Sequence, residues 1–177
     1  ALKTIKTKYI IYLQEDYLIS QPVNEARLKE LLDAMKEGLA AHIELTFDTF
    51  FNESDPHPTI PGVSIKGKHQ GYRTSLQPGL WKKDTLEWLV NPEEDPWKFE
   101  INGSVRSEGM REPFLVVGKD FPMQFVNGCN LGFWSEGTLE FLEKEGIVIQ
   151  DTSLPEGRNY PFTRKIQKFA QLYPRFS

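Results

Sequence analysis

The sequence predicts an α+β fold with a mixed, mainly antiparallel sheet. The chain opens with the pattern of a strand, a helix and a second strand, and short alternating runs separated by turn signals follow. Asn-Gly pairs at 102–103 and 127–128 are typical of two-residue hairpins, which join antiparallel strands. A regular alternation of strands and helices would instead favour a parallel sheet.

The first half of the chain contains the clearest elements. Residues 5–13 alternate in hydropathy and predict a strand inside the sheet. Asn24 is a favourable N-cap for a long amphipathic helix that ends near Gly38. Residues 42–51 alternate again, and they predict a second strand with one apolar and one polar face.

The second half predicts shorter elements, followed by peripheral C-terminal helices. Trp97 and Phe99 alternate with polar residues and predict a strand that leads into the first Asn-Gly hairpin. Residues 114–118 form an uninterrupted apolar run, which is typical of a strand buried on both faces. The other predicted elements are strands at 63–68, 123–126, 129–134 and 147–149 and helices at 84–87, 135–145 and 162–173.

Composition indicates one soluble globular domain that spans residues 1–177. The chain has 39% hydrophobic and 26% charged residues, which is the balance of a packed domain and not of a disordered segment. No apolar run approaches the roughly 20 residues of a membrane helix, and the first residues do not resemble a signal peptide. A single cysteine excludes an internal disulfide framework, so we expect a cytoplasmic protein. The pattern gives no oligomeric state.

The polar face of the strand at 42–51 is the best candidate for a metal site. Glu44 and Asp48 lie on that face, together with His42, and Asp55 and His57 follow in the next loop. Carboxylates and imidazoles that converge from two elements suit a divalent cation. Glu44, Asp48, Asp55 and His57 are therefore the candidate ligands. The alternative, which we favour, is an ordinary strand with a solvated polar face.

A local pattern after this strand resembles the catalytic hairpin of the PD-(D/E)XK nucleases. Asp55 is followed after eight residues by Ser64, Ile65 and Lys66. The resemblance implies a divalent ion held by acids on adjacent strands, with Lys66 as the catalytic lysine. This sequence departs from the family pattern at Ser64, where the family has a carboxylate.

A basic block in the middle of the chain is the candidate binding segment. No acidic residue occurs between Asp55 and Asp84, whereas residues 84–95 hold five acids and no basic residue. Such a block suits phosphate, nucleic acid or an acidic protein, but the net charge of −4 argues against a dedicated nucleic-acid binder. The two blocks could also simply neutralise each other. The block contains Lys66, Lys68, His69, Tyr72, Arg73, Trp81, Lys82 and Lys83.

Tryptophans concentrate beside this block, and they are candidate anchors for a ligand. Trp81 and Trp134 each follow or precede a turn, so we expect them at the surface. Trp88 and Trp97 lie beside apolar residues in predicted elements, so we expect them in the core. Cys129 is expected to be a small buried residue and not a nucleophile.

Two functions are compatible with these patterns. The favoured one is a non-enzymatic binding or regulatory protein that recognises a protein or small-molecule ligand through the loop-rich basic and aromatic middle segment. The alternative is a metal-dependent hydrolase acting on phosphodiesters, and only this alternative requires a divalent metal. The sequence does not decide whether the protein is an enzyme, and it identifies no cofactor.

Overall fold

The computed structural model describes residues 2–46, 55–130 and 133–149. The chain divides into two compact units, the first made of residues 1–14 and 22–123 and the second of residues 15–21 and 124–177. The single domain expected over 1–177 stays a prediction. Within the described residues, no helix has the length and hydrophobicity to cross a membrane.

A short 3-10 helix at Leu2–Thr4 precedes fourteen strands and helices, most of them short. In chain order they are β1 (Tyr9–Tyr12), β2 (Tyr17–Ile19), α1 (Glu25–Lys36), β3 (His42–Glu44), β4 (Asp55–Pro56), β5 (Val63–Ile65), β6 (Gly79–Lys82), α2 (Lys83–Leu89), α3 (Pro96–Ser107), β7 (Phe114–Val117), β8 (Phe125–Asn127), β9 (Cys129–Asn130), β10 (Phe133–Trp134) and α4 (Thr138–Lys144).

The first unit is built on a six-stranded sheet with the order β1-β6-β3-β7-β5-β4. Only β3 and β7 run parallel; every other neighbouring pair is antiparallel. The predicted α+β class with a mixed, mainly antiparallel sheet is therefore confirmed. All four residues of β7 are buried, as the uninterrupted apolar run at 114–118 predicts.

The predicted N-cap of α1 is confirmed. The Asn24 side chain accepts a hydrogen bond from the backbone N–H of Arg27 at 3.1 Å. Leu31 and Met35, one turn apart, are almost completely buried, so this side of α1 packs into the core. The Arg27 guanidinium donates to the carbonyl of Pro61 at 2.6 Å, which fixes α1 to the loop before β5.

The strand and hairpin predicted around Asn102-Gly103 are wrong, because residues 96–107 form α3. Asp95 accepts a hydrogen bond from the Lys98 backbone N–H at 2.8 Å, and Pro96 occupies the first turn, where its missing N–H costs nothing. Gly103 lies inside this helix. A side chain does not fit there, because a Cβ would stand 2.8 Å from Thr74 Oγ1. Close packing of α3 against residue 74 explains this glycine better than a turn does.

The hairpin predicted at Asn127-Gly128 is also wrong. In the second unit β8 pairs antiparallel with β2, and β9 pairs with β10. Gly128 instead donates its N–H to the carbonyl of Asp16 at 2.6 Å, which continues the β2–β8 ladder. An Asn-Gly pair permits a tight turn, but an available partner strand decided the pairing here.

The last predicted elements are only partly observed. The helix expected at 135–145 begins at Thr138. Gly146 after it has a φ of 74°, the left-handed conformation in which a glycine ends a helix. Residues 147–149 are not in a strand, contrary to expectation. The helix expected at 162–173 lies outside the described residues.

One face of the six-stranded sheet carries three ring-bearing side chains together. His42 lies opposite Trp81 on β6 and opposite Phe114 on β7, so the three side chains share a face. Trp81 and Phe114 also belong to a buried cluster with residues of α2, α3 and adjoining segments. That cluster consists of Ala41, Leu76, Trp81, Leu86, Leu89, Phe99 and Phe114.

We predict that Gly79→Ala destabilises the protein by about 1–3 kcal/mol, because overpacking of a fixed core costs energy in this range. A Cβ at Gly79 would lie 2.7 Å from His42 Nε2, and the fully buried imidazole cannot easily move. Urea unfolding followed by circular dichroism measures the loss. Gly109→Ala is the matched control, since a Cβ there meets nothing within 4 Å. Equal stability of the two variants would contradict the prediction.

Candidate functional site

The polar face predicted for the strand at 42–51 is buried at its start and not solvated. His42 is 0% exposed and Glu44 is 1% exposed. Lys66 after β5 and Arg73 in the following loop are also almost completely buried. We call His42, Glu44, Lys66 and Arg73 the buried polar cluster.

Glu44 and Lys66 form an ion pair in the core. Lys66 Nζ donates to Glu44 Oε2 at 2.5 Å and to the carbonyl of Tyr72 at 2.9 Å. The other Glu44 oxygen accepts a hydrogen bond from Thr46 Oγ1 at 3.2 Å. Because both charged groups are bonded on more than one side, the arrangement offsets part of the large cost of removing them from water.

Arg73 attaches the loop before β6 to α3. Its guanidinium donates to the carbonyl and to the hydroxyl of Ser107, both at 2.7 Å. The guanidinium carbon also lies 4.0 Å from the centre of the Phe114 ring, in a cation–π contact. Burial lowers the pKa of Arg73 to about 10, a shift that the nearby carboxylate of Glu108 opposes.

His42 is held as a neutral aromatic side chain. Its ring stacks on Trp81 with 3.7 Å between centroids, and neither ring nitrogen has a hydrogen-bond partner among the described residues. Burial depresses the pKa of His42 well below its ordinary value, and the positive charges of Lys66 and Arg73 depress it further. At neutral pH this imidazole is therefore uncharged.

The expectation that Trp81 and Arg73 anchor a surface ligand is not met by their positions. Trp81 is 0% exposed and Arg73 is 2% exposed, because both complete the packing between the sheet and α3. Trp88 and Trp97, which were expected in the core, are instead 60% and 51% exposed. The alternation around Trp97 gave the wrong period, since the segment is helical.

The other predicted binding residues differ in their exposure and in their contacts. Lys68 is exposed, and His69 is 80% exposed with its Nδ1 3.1 Å from Glu108. Tyr72 has a φ of 55° and is half-buried. Lys82 pairs with Glu112 at 2.6 Å, and Lys83 Nζ lies 3.9 Å from Glu87 Oε2. Trp134 is half-buried in the second unit.

The predicted metal ligands that the structure describes do not converge. His57 Nδ1 accepts hydrogen bonds from the backbone of its own loop, at Ile60 and Thr59. Asp55 is exposed on β4 and pairs with Ile65, so it lies on the sheet face opposite to Lys66 and Glu44. Asp48 lies outside the described residues. In the ranges that the structure describes, no three His, Cys, Asp or Glu side chains converge as metal ligands do.

The structure contains the strand pair of the nuclease-like hairpin, but its side chains differ from the arrangement that the resemblance implies. β4 and β5 are adjacent and antiparallel, as the resemblance implies. The side chain of Lys66 is fully buried and bonded to Glu44, and Ser64 stands where the family has a carboxylate. The nuclease chemistry therefore stays a prediction that these contacts do not favour.

Burial raises the pKa of the Cys129 thiol, and the negative charge of Asp16 raises it further. A thiol nucleophile needs the opposite shift, because the thiolate is the reactive form. The expected non-catalytic role for this cysteine agrees with that direction.

An apolar pocket at the edge of the sheet is the site that sequence reasoning missed. Its volume is about 940 Å³, and it lies around β1. Ile11 and Leu80 are cross-strand partners on one sheet face, and Leu28 and Leu32 of α1 line the same pocket. Leu86 and Val90 of the α2 region line it too, as does Phe99 of α3. Leu28 and Leu32 are apolar residues of α1 that stay half-buried. They are the signal of this pocket in the helix pattern.

No protein-family model, curated protein or solved structure matches this chain.

We predict that Lys66→Met destabilises the first unit by about 3–5 kcal/mol, since it leaves the Glu44 carboxylate buried without its cation. The double variant Lys66→Met, Glu44→Leu should recover most of that loss, because no buried charge remains. Lys36→Met is the control, since the Lys36 side chain is 52% exposed at the surface and its pair is worth less than about 1 kcal/mol. Chemical denaturation of all four proteins measures these differences. A double variant no more stable than Lys66→Met would contradict the prediction.

We predict that acid destabilises the protein partly through His42. The folded-state pKa of His42 lies below the unfolded value, so stability is fully present above about pH 6.5 and is lost as pH falls. The loss approaches about 1.4 kcal/mol per pH unit for one group. His42→Leu should flatten the fall in unfolding free energy between pH 7 and pH 5. A slope that His42→Leu does not alter would refute this assignment.

Proposed function

We propose that this chain is a binding protein whose recognition site is the apolar pocket around β1. The single observation behind the proposal is the pocket itself. At about 940 Å³ it lies at the upper end of the range typical of ligand sites, which are concave and largely apolar. The binding class agrees with the favoured reading of the sequence, but the site moves from the middle segment to the N-terminal edge of the sheet.

The exposure of the lining supports recognition more than internal packing. Ile11 is 45% exposed and Val90 is 41% exposed, although both are aliphatic and both border the pocket. Contiguous exposed apolar side chains of this kind mark interaction sites in proteins that are otherwise polar at the surface. Tyr9 and Asn91 add a small number of polar groups that can orient a ligand.

The buried polar cluster supports a structural role and not catalysis. Lys66 and Arg73 are each bonded to groups inside the protein, and His42 stacks on Trp81. The metal-dependent hydrolase stays the alternative function, and its ligand set includes Asp48, which lies outside the described residues.

Titration with the fluorescent probe 1-anilinonaphthalene-8-sulfonate tests the proposal. We expect saturable binding with one probe per chain, because the pocket offers one large apolar volume. Ile11→Glu should weaken that binding at least tenfold, since it places a charge on the lining. Val105→Glu is the matched control, because Val105 is 36% exposed on α3 but does not line the pocket.

Two outcomes would overturn the proposal. One is unsaturable, low-level fluorescence, which indicates scattered surface binding. The other is equal weakening by Ile11→Glu and Val105→Glu while circular dichroism shows that both variants are folded.

A further inference from the structure

The outer edge of β1 presents backbone groups that could pair with another strand. β1 is the last strand of its sheet, and among the described residues it pairs only with β6. The Lys83 N–H donates to the carbonyl of Lys8 at 2.8 Å, so residue 8 directs its backbone towards β6. Along a strand, successive residues direct their backbone N–H and C=O groups to opposite sides. The hydrogen bonds of β6 agree with this alternation, because the Lys82 N–H donates to the carbonyl of Ala41, on the side of β6 away from β1. Residues 7, 9, 11 and 13 therefore direct their N–H and C=O groups away from the sheet.

Apolar side chains flank this edge on both faces of the sheet. Tyr9, Ile11 and Leu13 lie on one face, where Leu28 and Leu32 of α1 continue the lining. Ile10 and Tyr12 lie on the other face and pack against the cluster that contains Leu86 and Phe99. An occupant that follows the edge would thus meet apolar surface above and below its backbone.

The charge on the residues at the start of β1 is positive. Lys3, Lys6 and Lys8 are exposed, and no acidic residue precedes Glu15 in the sequence. No ion pair involves these three lysines among the described residues. Lysines at an edge also discourage unselective pairing with other strands, so an accepted strand must complement them.

Of the other charged residues that line the pocket, two form ion pairs and one lies at the start of α1. Lys29 bonds to Asp33 at 2.8 Å, and Glu94 bonds to Arg106 at 2.6 Å. Glu25 stands in the first turn of α1, where a negative charge stabilises the helix dipole. The lysines before β1 therefore dominate the free charge beside this edge.

We propose that the pocket accepts an extended peptide segment of a partner protein, which adds to the edge of β1 as an antiparallel strand. Main-chain hydrogen bonds to residues 7, 9 and 11 supply affinity, and the flanking apolar surfaces select alternating aliphatic side chains. In the antiparallel direction the C-terminal part of the peptide lies beside Lys6 and Lys8. The partner segment therefore has aliphatic side chains at alternating positions and is followed by acidic residues. This inference rests on the proposed function, since it names the ligand of the same pocket.

The test uses the full chain and six-residue synthetic peptides, labelled for fluorescence anisotropy. The probe has four alternating valine and threonine residues followed by two glutamates. Two further peptides carry N-methyl groups, either on both valines or on both threonines. Because adjacent residues of a strand direct their N–H groups to opposite sides, one methylated peptide should lose at least tenfold in affinity and the other should bind within about threefold of the probe. Amide hydrogen exchange should slow at residues 7, 9 and 11 when the probe binds.

A charge comparison tests the direction of the peptide. The double variant Lys6→Gln, Lys8→Gln should weaken the glutamate probe several-fold and leave a glutamine version of the peptide unchanged. The variant Lys68→Gln, Lys119→Gln removes the same charge elsewhere on the first unit and should leave both peptides unaffected. A probe with the glutamates placed first should bind more weakly than the original.

Failure of this inference is distinguishable from failure of the proposed function. If 1-anilinonaphthalene-8-sulfonate binds the pocket but none of the peptides binds, the proposal of a peptide ligand is refuted and the proposal of an apolar binding site stands. Equal loss by both methylated peptides, or by neither, overturns strand pairing. Slow exchange at residues 7, 9 and 11 in the peptide-free protein also overturns it, because the edge is then already covered by another part of the chain or by a second copy.

Discussion

The ion pair between Glu44 and Lys66 is the interaction on which the arrangement of the first unit depends. Glu44 ends β3 and Lys66 follows β5, and β7 lies between these two strands, so the pair spans the centre of the sheet. Lys66 also holds the carbonyl of Tyr72, which positions Arg73 over Phe114. Buried charges are tolerated only where hydrogen bonds and opposite charges compensate for their removal from water. The loop between β5 and β6, the helix α3 and the sheet must therefore keep the relative positions that form these bonds.

This arrangement bears on where the proposed binding site lies. Within the basic block, Lys66, Arg73 and Trp81 are buried. His69, Lys82 and Lys83 lie beside acidic side chains, so the block offers less free charge than its sequence suggests. The edge strand β1 has the opposite character, because it pairs on one side only and is bordered by half-buried aliphatic residues. The buried charges and the proposed binding edge thus occupy different parts of the sheet, the charges at its centre and β1 at one edge.

Local signals predicted the elements that depend on local chemistry. The N-cap at Asn24, the buried run that became β7 and the glycine after α4 each follow from a few neighbouring residues. The errors arose where two local signals competed. The Asn-Gly pair at 102–103 lost to the helix start at Asp95 and Pro96, and the pair at 127–128 lost to a strand from far along the chain. Long-range pairing carries no mark in a short sequence window.

The sequence by itself determined the fold class, the position of α1 and the presence of charged residues within the strand pattern. Only the tertiary structure decided whether those charges face water or each other. Glu44 and Lys66 are 22 residues apart, and nothing in either segment specifies that their strands lie on either side of β7. The pocket around β1 has the same origin, because its lining combines residues of α1 with residues of the α2 region and α3, which are far apart in the sequence. A pattern records which side chains share a face, whereas burial depends on what the rest of the chain lays over that face.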